Sequence, residues 1–210
     1  MSKEKTYKKN RFFLHWTLLS FGIIPLSYII SLVVVLMIHG AFGYDQTESG
    51  TFLSQTIAQL AGGAIIGLGT GIYQKSMLER FFKVPQSWIY TLVIGFAVIE
   101  LIVCIFLWQL GIYRSDLRFI ESNPIPESMF FAGAGLIVGI LQWTILRKFF
   151  SGSIYWILTS TIGWGVCILI TQFSIWAFFL GSLLYGLITG ATLTLFTRPS
   201  IDKTMPGTSV

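Results

Sequence analysis

The sequence predicts an all-α membrane protein, with six transmembrane helices built from parallel helical-hairpin repeats around a pseudo-threefold axis. Three observations carry that reading. Of 210 residues 54% are hydrophobic and only 11% charged, with a mean hydropathy of +0.74, so there are too few charges to coat a soluble globule. The apolar residues are gathered into runs of roughly 20, the length a helix needs to cross hydrocarbon. A long stretch in the middle of the chain also recurs.

Taken in order, the runs are about 16–38, 54–77, 87–110, 129–146, 154–172 and 175–196 within a single integral membrane domain of residues 1–210. Each is expected to be helical, because a helix or a closed barrel satisfies its own backbone polar groups in lipid. The first follows the basic tail 1–11 and is longer than a signal-peptide core, with no small-residue cleavage site to close it, so it is expected to be retained. Only a few residues around Gln172 to Ser174 separate the fifth and sixth runs, which makes them a tight hairpin. Residues 197–210 form a C-terminal tail.

Basic residues fix the expected orientation. Lys3, Lys5, Lys8, Lys9 and Arg11 precede the first run; Lys75, at the end of the second run, with Arg80 and Lys83 joins the second to the third; Arg147 and Lys148 join the fourth to the fifth; Arg198 and Lys203 follow the sixth. The alternate loops hold few cations, so the positive-inside rule puts both termini in the cytoplasm and the protein in the cell membrane. The net charge of +5 is spread in these short clusters, a distribution suited to anionic lipid headgroups rather than nucleic acid. Cys104 and Cys167 both fall inside apolar runs and read as small core residues, not as a disulfide framework or metal site.

The repeat aligns Gly67 to Gly95 with Gly135 to Gly163 without a gap, 68 positions apart. Within it Gly67, Leu68, Gly71, Ile72, Gln74, Leu78, Phe81, Phe82, Trp88, Ile89, Thr91, Ile94 and Gly95 recur as the same residue type. The unit is a hairpin that enters from outside, turns in the cytoplasm and returns. A third copy is expected to be split: Gly186, Gly190 and Arg198 in and after the last helix echo its first half, and Arg11-Phe12-Phe13 with Trp16 and Gly22 echo its second. Units pointing the same way give parallel repeats.

Gly63, Gly67 and Gly71, Gly135 and Gly139, and Gly186 and Gly190 are spaced four apart, so each set lies on one helix face and permits close helix packing. That places the second, fourth and sixth helices at the centre, packed on one another or on their hairpin partners. Trp88 and Trp156 open returning helices, where indoles favour the headgroup region. Phe-Phe beside a cation in the short turns suits an interfacial elbow. Gln74 and Gln142, in the last turns of their helices, are expected to hydrogen-bond a neighbouring helix or cap carbonyls.

The second copy, through Gly135, Gly139, Gln142, Trp143, Leu146, Arg147, Trp156, Gly163 and Trp164, resembles a pattern found in small uncharacterised bacterial membrane proteins, GxxxGxxQWxxLR followed by W and then GW. The first copy departs from it at Lys75, Glu79 and Phe96. The resemblance implies a membrane protein of bacterial origin and brings no activity with it.

Glu100 is the one carboxylate well inside a predicted span. A charge at that depth costs on the order of a few kcal/mol, so it is expected to face the bundle interior, find a partner or keep its proton. Gly63, Tyr28 and Tyr185 are expected at similar depth, with Gln59 one turn further out, giving a candidate proton or cation site of Glu100, Gln59, Tyr28 and Tyr185. No Lys, Arg or second carboxylate within the spans completes a relay. His15 and His39 stand at opposite ends of the first run, and no HExxH, GxSxG or phosphate-binding lysine loop occurs, so an enzyme lacks its parts. Asp45, Glu48, Asp116, Glu121 and Glu127 read as a solvated outer rim. No metal or cofactor is expected.

The leading expectation is therefore a noncatalytic accessory, immunity or regulatory module that acts by helix packing, its partners being the bilayer and either itself or another membrane protein. The alternative is a small transporter or channel for a proton, cation or small solute using Glu100.

Overall fold

The computed structural model describes residues 3–42, 48–80, 83–109, 124–150, 152–171 and 174–195. Among them are six helices and no strand: α1 (Lys3–Phe42), α2 (Glu48–Leu78), α3 (Ser87–Gln109), α4 (Pro124–Leu146), α5 (Tyr155–Thr171) and α6 (Ile175–Leu195). Five contain an apolar stretch long enough to cross a membrane, and α5, with 17 residues, is shorter. At 1.5 Å per residue α5 spans about 26 Å, the lower limit for hydrocarbon. This is the pattern of a multi-pass membrane protein.

Local chemistry sets several of the boundaries. Pro124 occupies the first position of α4, where its missing N–H costs nothing. Ser174 caps α6, its hydroxyl accepting the Ala177 N–H at 3.1 Å. α1 begins well before its apolar run and carries the basic segment as continuous helix, because lysine and arginine are good helix formers. Its apolar part, Asn10–Phe42, is the longest among the described residues.

The helices form a closed ring. Each packs on its chain neighbours, and α6 packs on α1 to complete the circuit; among the described residues no other pair of helices makes backbone contact. Glycines bring the ring neighbours together. A Cβ on Gly67 would lie 2.5 Å from the Leu92 carbonyl oxygen of α3, and one on Gly135 would lie 2.5 Å from that of Ser160 on α5. Gly71 faces Ile89, Gly139 faces Ile157, and Gly186 abuts Thr17 and Ser20 of α1. Gly190 lies against Trp16 and Phe13.

Of the two packings expected for the glycine-bearing helices, the one on their hairpin partners is found. The backbones of α2, α4 and α6 do not pack on one another; their glycines are spent on α3, α5 and α1. Close approach at a glycine needs a facing backbone, and in a six-membered ring only the two flanking helices supply one. Leu14, Leu18, Ile29, Val33, Leu36 and Met37 of α1 point outward and are exposed, the surface expected to meet lipid.

Candidate functional site

The middle of the ring is filled by aromatic and amide side chains. Trp16, Trp88 and Trp156, from α1, α3 and α5, are fully buried. Trp156 stands between the other two, 6.1 Å from each by ring centroids. Trp88 and Trp156 do open their helices as expected, but they turn into the bundle rather than to its lipid face. The indole is large and carries one donor, so it suits a central position when a partner for that N–H exists.

Hydrogen bonds run across this centre in one direction. Trp156 Nε1 donates to Gln142 Oε1 at 2.8 Å, Gln142 Nε2 donates to Gln74 Oε1 at 3.2 Å, and Gln74 Nε2 donates to the Tyr185 hydroxyl at 2.9 Å. An indole nitrogen can only donate, so the Gln142 atom facing it must be oxygen. That choice turns the Gln142 nitrogen to Gln74 and fixes the Gln74 amide in turn. The chain links α5, α4, α2 and α6, and bonds aligned head to tail polarise and strengthen one another.

A second set ties in α1. Trp16 Nε1 donates to Thr189 Oγ1 of α6 at 2.9 Å, and the Thr189 hydroxyl donates a hydrogen bond to the Tyr185 carbonyl at 2.7 Å. Ser20 donates to the Trp16 carbonyl at 2.9 Å, so its 2.8 Å contact with Tyr73 must be a bond donated by the tyrosine hydroxyl. Trp164 packs edge-on against Phe96 at 4.6 Å and lies 4.7 Å from the Tyr185 ring. Trp88 Nε1, Thr70 Oγ1, Thr17 Oγ1 and Ser160 Oγ are buried without a partner among the described residues.

Glu100, Gln59, Tyr28 and Tyr185, the residues of the candidate proton or cation site, come from α3, α2, α1 and α6. The half-buried Glu100 lies over Gly63, whose absent side chain leaves room for it: a Cβ there would come within 2.8 Å of the Glu100 Cγ. Gln59 is half-buried one turn away on the same helix. The Tyr28 ring lies 4.7 Å from Phe178 of α6, and the Tyr185 hydroxyl belongs to the glutamine chain.

At the basic end, Arg147 is exposed with its guanidinium 5.1 Å from the Trp143 ring centre. Arg198 lies outside the described residues, as do Asp45, Asp116 and Glu121. Among the described residues no group of three His, Cys, Asp or Glu side chains is placed to hold a metal.

The central constellation is neutral throughout. Among the described residues some of its polar atoms bond one another, while Trp88 Nε1, Trp164 Nε1, Thr70 Oγ1, Thr17 Oγ1 and Ser160 Oγ are left over. Ser20, Tyr73 and Thr189 were not singled out by the sequence pattern, since single hydroxyls in apolar runs carry no spacing signal. Compared with known proteins, the chain matches no family model, no curated protein and no solved structure.

Proposed function

We propose that this chain is a noncatalytic integral protein of the cell membrane, an accessory, immunity or regulatory module that works by packing against a membrane partner or a second copy of itself. The observation that carries this reading is the Trp156–Gln142–Gln74–Tyr185 chain, which occupies the middle of the ring with side chains bonded to one another. A path for a solute would need those groups to part. The glycine faces that first suggested a partner are used inside the ring, so a partner would meet the exposed apolar side chains on the outside of the helices.

The architecture proposed with it is three parallel hairpins, α2–α3, α4–α5 and the split pair α6–α1, with both termini cytoplasmic. Matching contacts support it: Gly67 on Leu92 and Gly135 on Ser160 differ by the same 68 residues that separate Gln74 from Gln142. Gly186 meets Ser20, four residues after Trp16, as Leu92 and Ser160 follow Trp88 and Trp156. The test of function is flux in proteoliposomes. Protein reconstituted alone should move protons, potassium and small solutes no faster than empty vesicles, and protein-dependent flux overturns the proposal.

A second reading, transport of a proton or cation through Glu100, draws on the fit of that side chain over Gly63. It requires flux in the same assay and its loss in Glu100→Gln.

A further inference from the structure

The ends of α2 and α4 carry two side-chain pairs, each one helical turn apart and in the same relative position, 68 residues from one another. In α2 Lys75 forms an ion pair with Glu79. In α4 the corresponding pair is Trp143 and Arg147, with the guanidinium over the indole at 5.1 Å. The first pair cancels its charge and the second keeps it. Among the side chains described at this end of the ring, Glu79 is the one carboxylate, and Lys75 engages it.

Position adds to the asymmetry. The apolar span of α4 is Ser128–Leu146, so Arg147 stands at the first residue beyond it, with Lys148 exposed beside it. Trp143 is half-buried one turn inside, at the depth where an indole favours the headgroup boundary. Stacking on an aromatic face restrains a guanidinium while leaving its N–H edges free, and that fork matches the oxygens of a phosphate. Arg11, Arg80 and Lys83 lie at the same end of the ring and add to the attraction for anions.

We infer that the α4–α5 corner binds the phosphate of an anionic glycerophospholipid, held by Arg147 stacked on Trp143 with Lys148 beside it. The site depends on the bilayer placement of the helices and not on the packing role, so flux results leave it unaffected. It makes the corner a point at which lipid composition acts on the protein.

The test is competitive lipid retention by the intact protein, read by native mass spectrometry after exposure to equal amounts of phosphatidylglycerol and phosphatidylcholine. One basic side chain at an anionic surface corresponds to about fivefold, or about 1 kcal/mol. The wild-type chain should prefer phosphatidylglycerol by at least that factor, and the preference should fall about fivefold in Arg147→Gln and partly in Arg147→Lys, which keeps the charge and loses the fork. Lys75→Gln, which removes a cation already paired, should leave it unchanged. Equal retention of the two lipids, or an undiminished preference in Arg147→Gln and Arg147→Lys, overturns the site. Displacement of the lipid by inorganic phosphate at matched ionic strength would assign the site to free phosphate and overturn the lipid assignment.

Discussion

Gln142 donates its amide N–H to the amide oxygen of Gln74 at 3.2 Å, joining α4 to α2 through the middle of the ring. The bond lies between two residues that the sequence aligns with each other. Each also serves a further helix, Gln142 through Trp156 and Gln74 through Tyr185. Replacing Gln142 by leucine therefore leaves an indole N–H and an amide oxygen buried without partners. Interhelical hydrogen bonds in membranes are worth about 0.6 kcal/mol on average and up to about 1.7, while a stranded buried group costs about 1–3 kcal/mol. The second effect dominates, and Gln142→Leu should cost about 2 kcal/mol in reversible unfolding from mixed micelles. The Gln74→Leu/Gln142→Leu double variant should cost less than the sum of the single losses, because the two changes remove one shared bond.

Glycine substitutions should divide sharply by position. A methyl group on Gly135 would sit 2.5 Å from the Ser160 carbonyl oxygen, and neither backbone can yield without parting α4 from α5. Gly135→Ala should cost about 1–3 kcal/mol by the usual penalty for overpacking. Gly22 of α1 has nothing within 4 Å of the same methyl. Gly22→Ala should be neutral or slightly stabilising, since alanine is the better helix former. The same unfolding experiment reads both, and equal losses would contradict the packing.

The three central tryptophans should respond unequally to phenylalanine. Trp156→Phe and Trp16→Phe keep an aromatic ring but delete the donors to Gln142 and Thr189. Each is expected to lose about 1 kcal/mol or more. Trp88 Nε1 has no partner among the described residues, so Trp88→Phe removes no bond and should cost less than either. Thermal midpoints of the three variants in one detergent check the order.

Much of the fold can be read from the chain, because lipid imposes a length on every apolar run. The runs ending near Met77 and Leu146 anticipate α2 and α4, and the recurrence of Gln74 as Gln142 anticipates that these amides share a structural role. The direction in which residues face is not legible. In a soluble helix polar residues mark the outer face, but in a bilayer both faces are apolar and the periodic signal fades. For that reason Trp88 and Trp156 read as headgroup anchors and are buried in the bundle, and the face of Glu100, which its neighbours in sequence do not mark, is the one toward Gly63 of α2. The contact of α6 with α1 joins opposite ends of the chain, and its one trace in the sequence is the echo of the repeat in Gly186, Gly190 and Arg11-Phe12-Phe13.

Water access to the middle of the ring tests the central claim most directly. Thr70 is fully buried one turn from Gln74, and cysteine is close to it in size. In a chain whose Cys104 and Cys167 are replaced by alanine, Thr70→Cys should remain unmodified by a charged methanethiosulfonate reagent applied to either side of the membrane, while Arg80→Cys, at an exposed position, reacts fully. Modification of the Thr70 cysteine in the native protein would mean that water reaches the glutamine pair, and the sealed-centre account would be wrong.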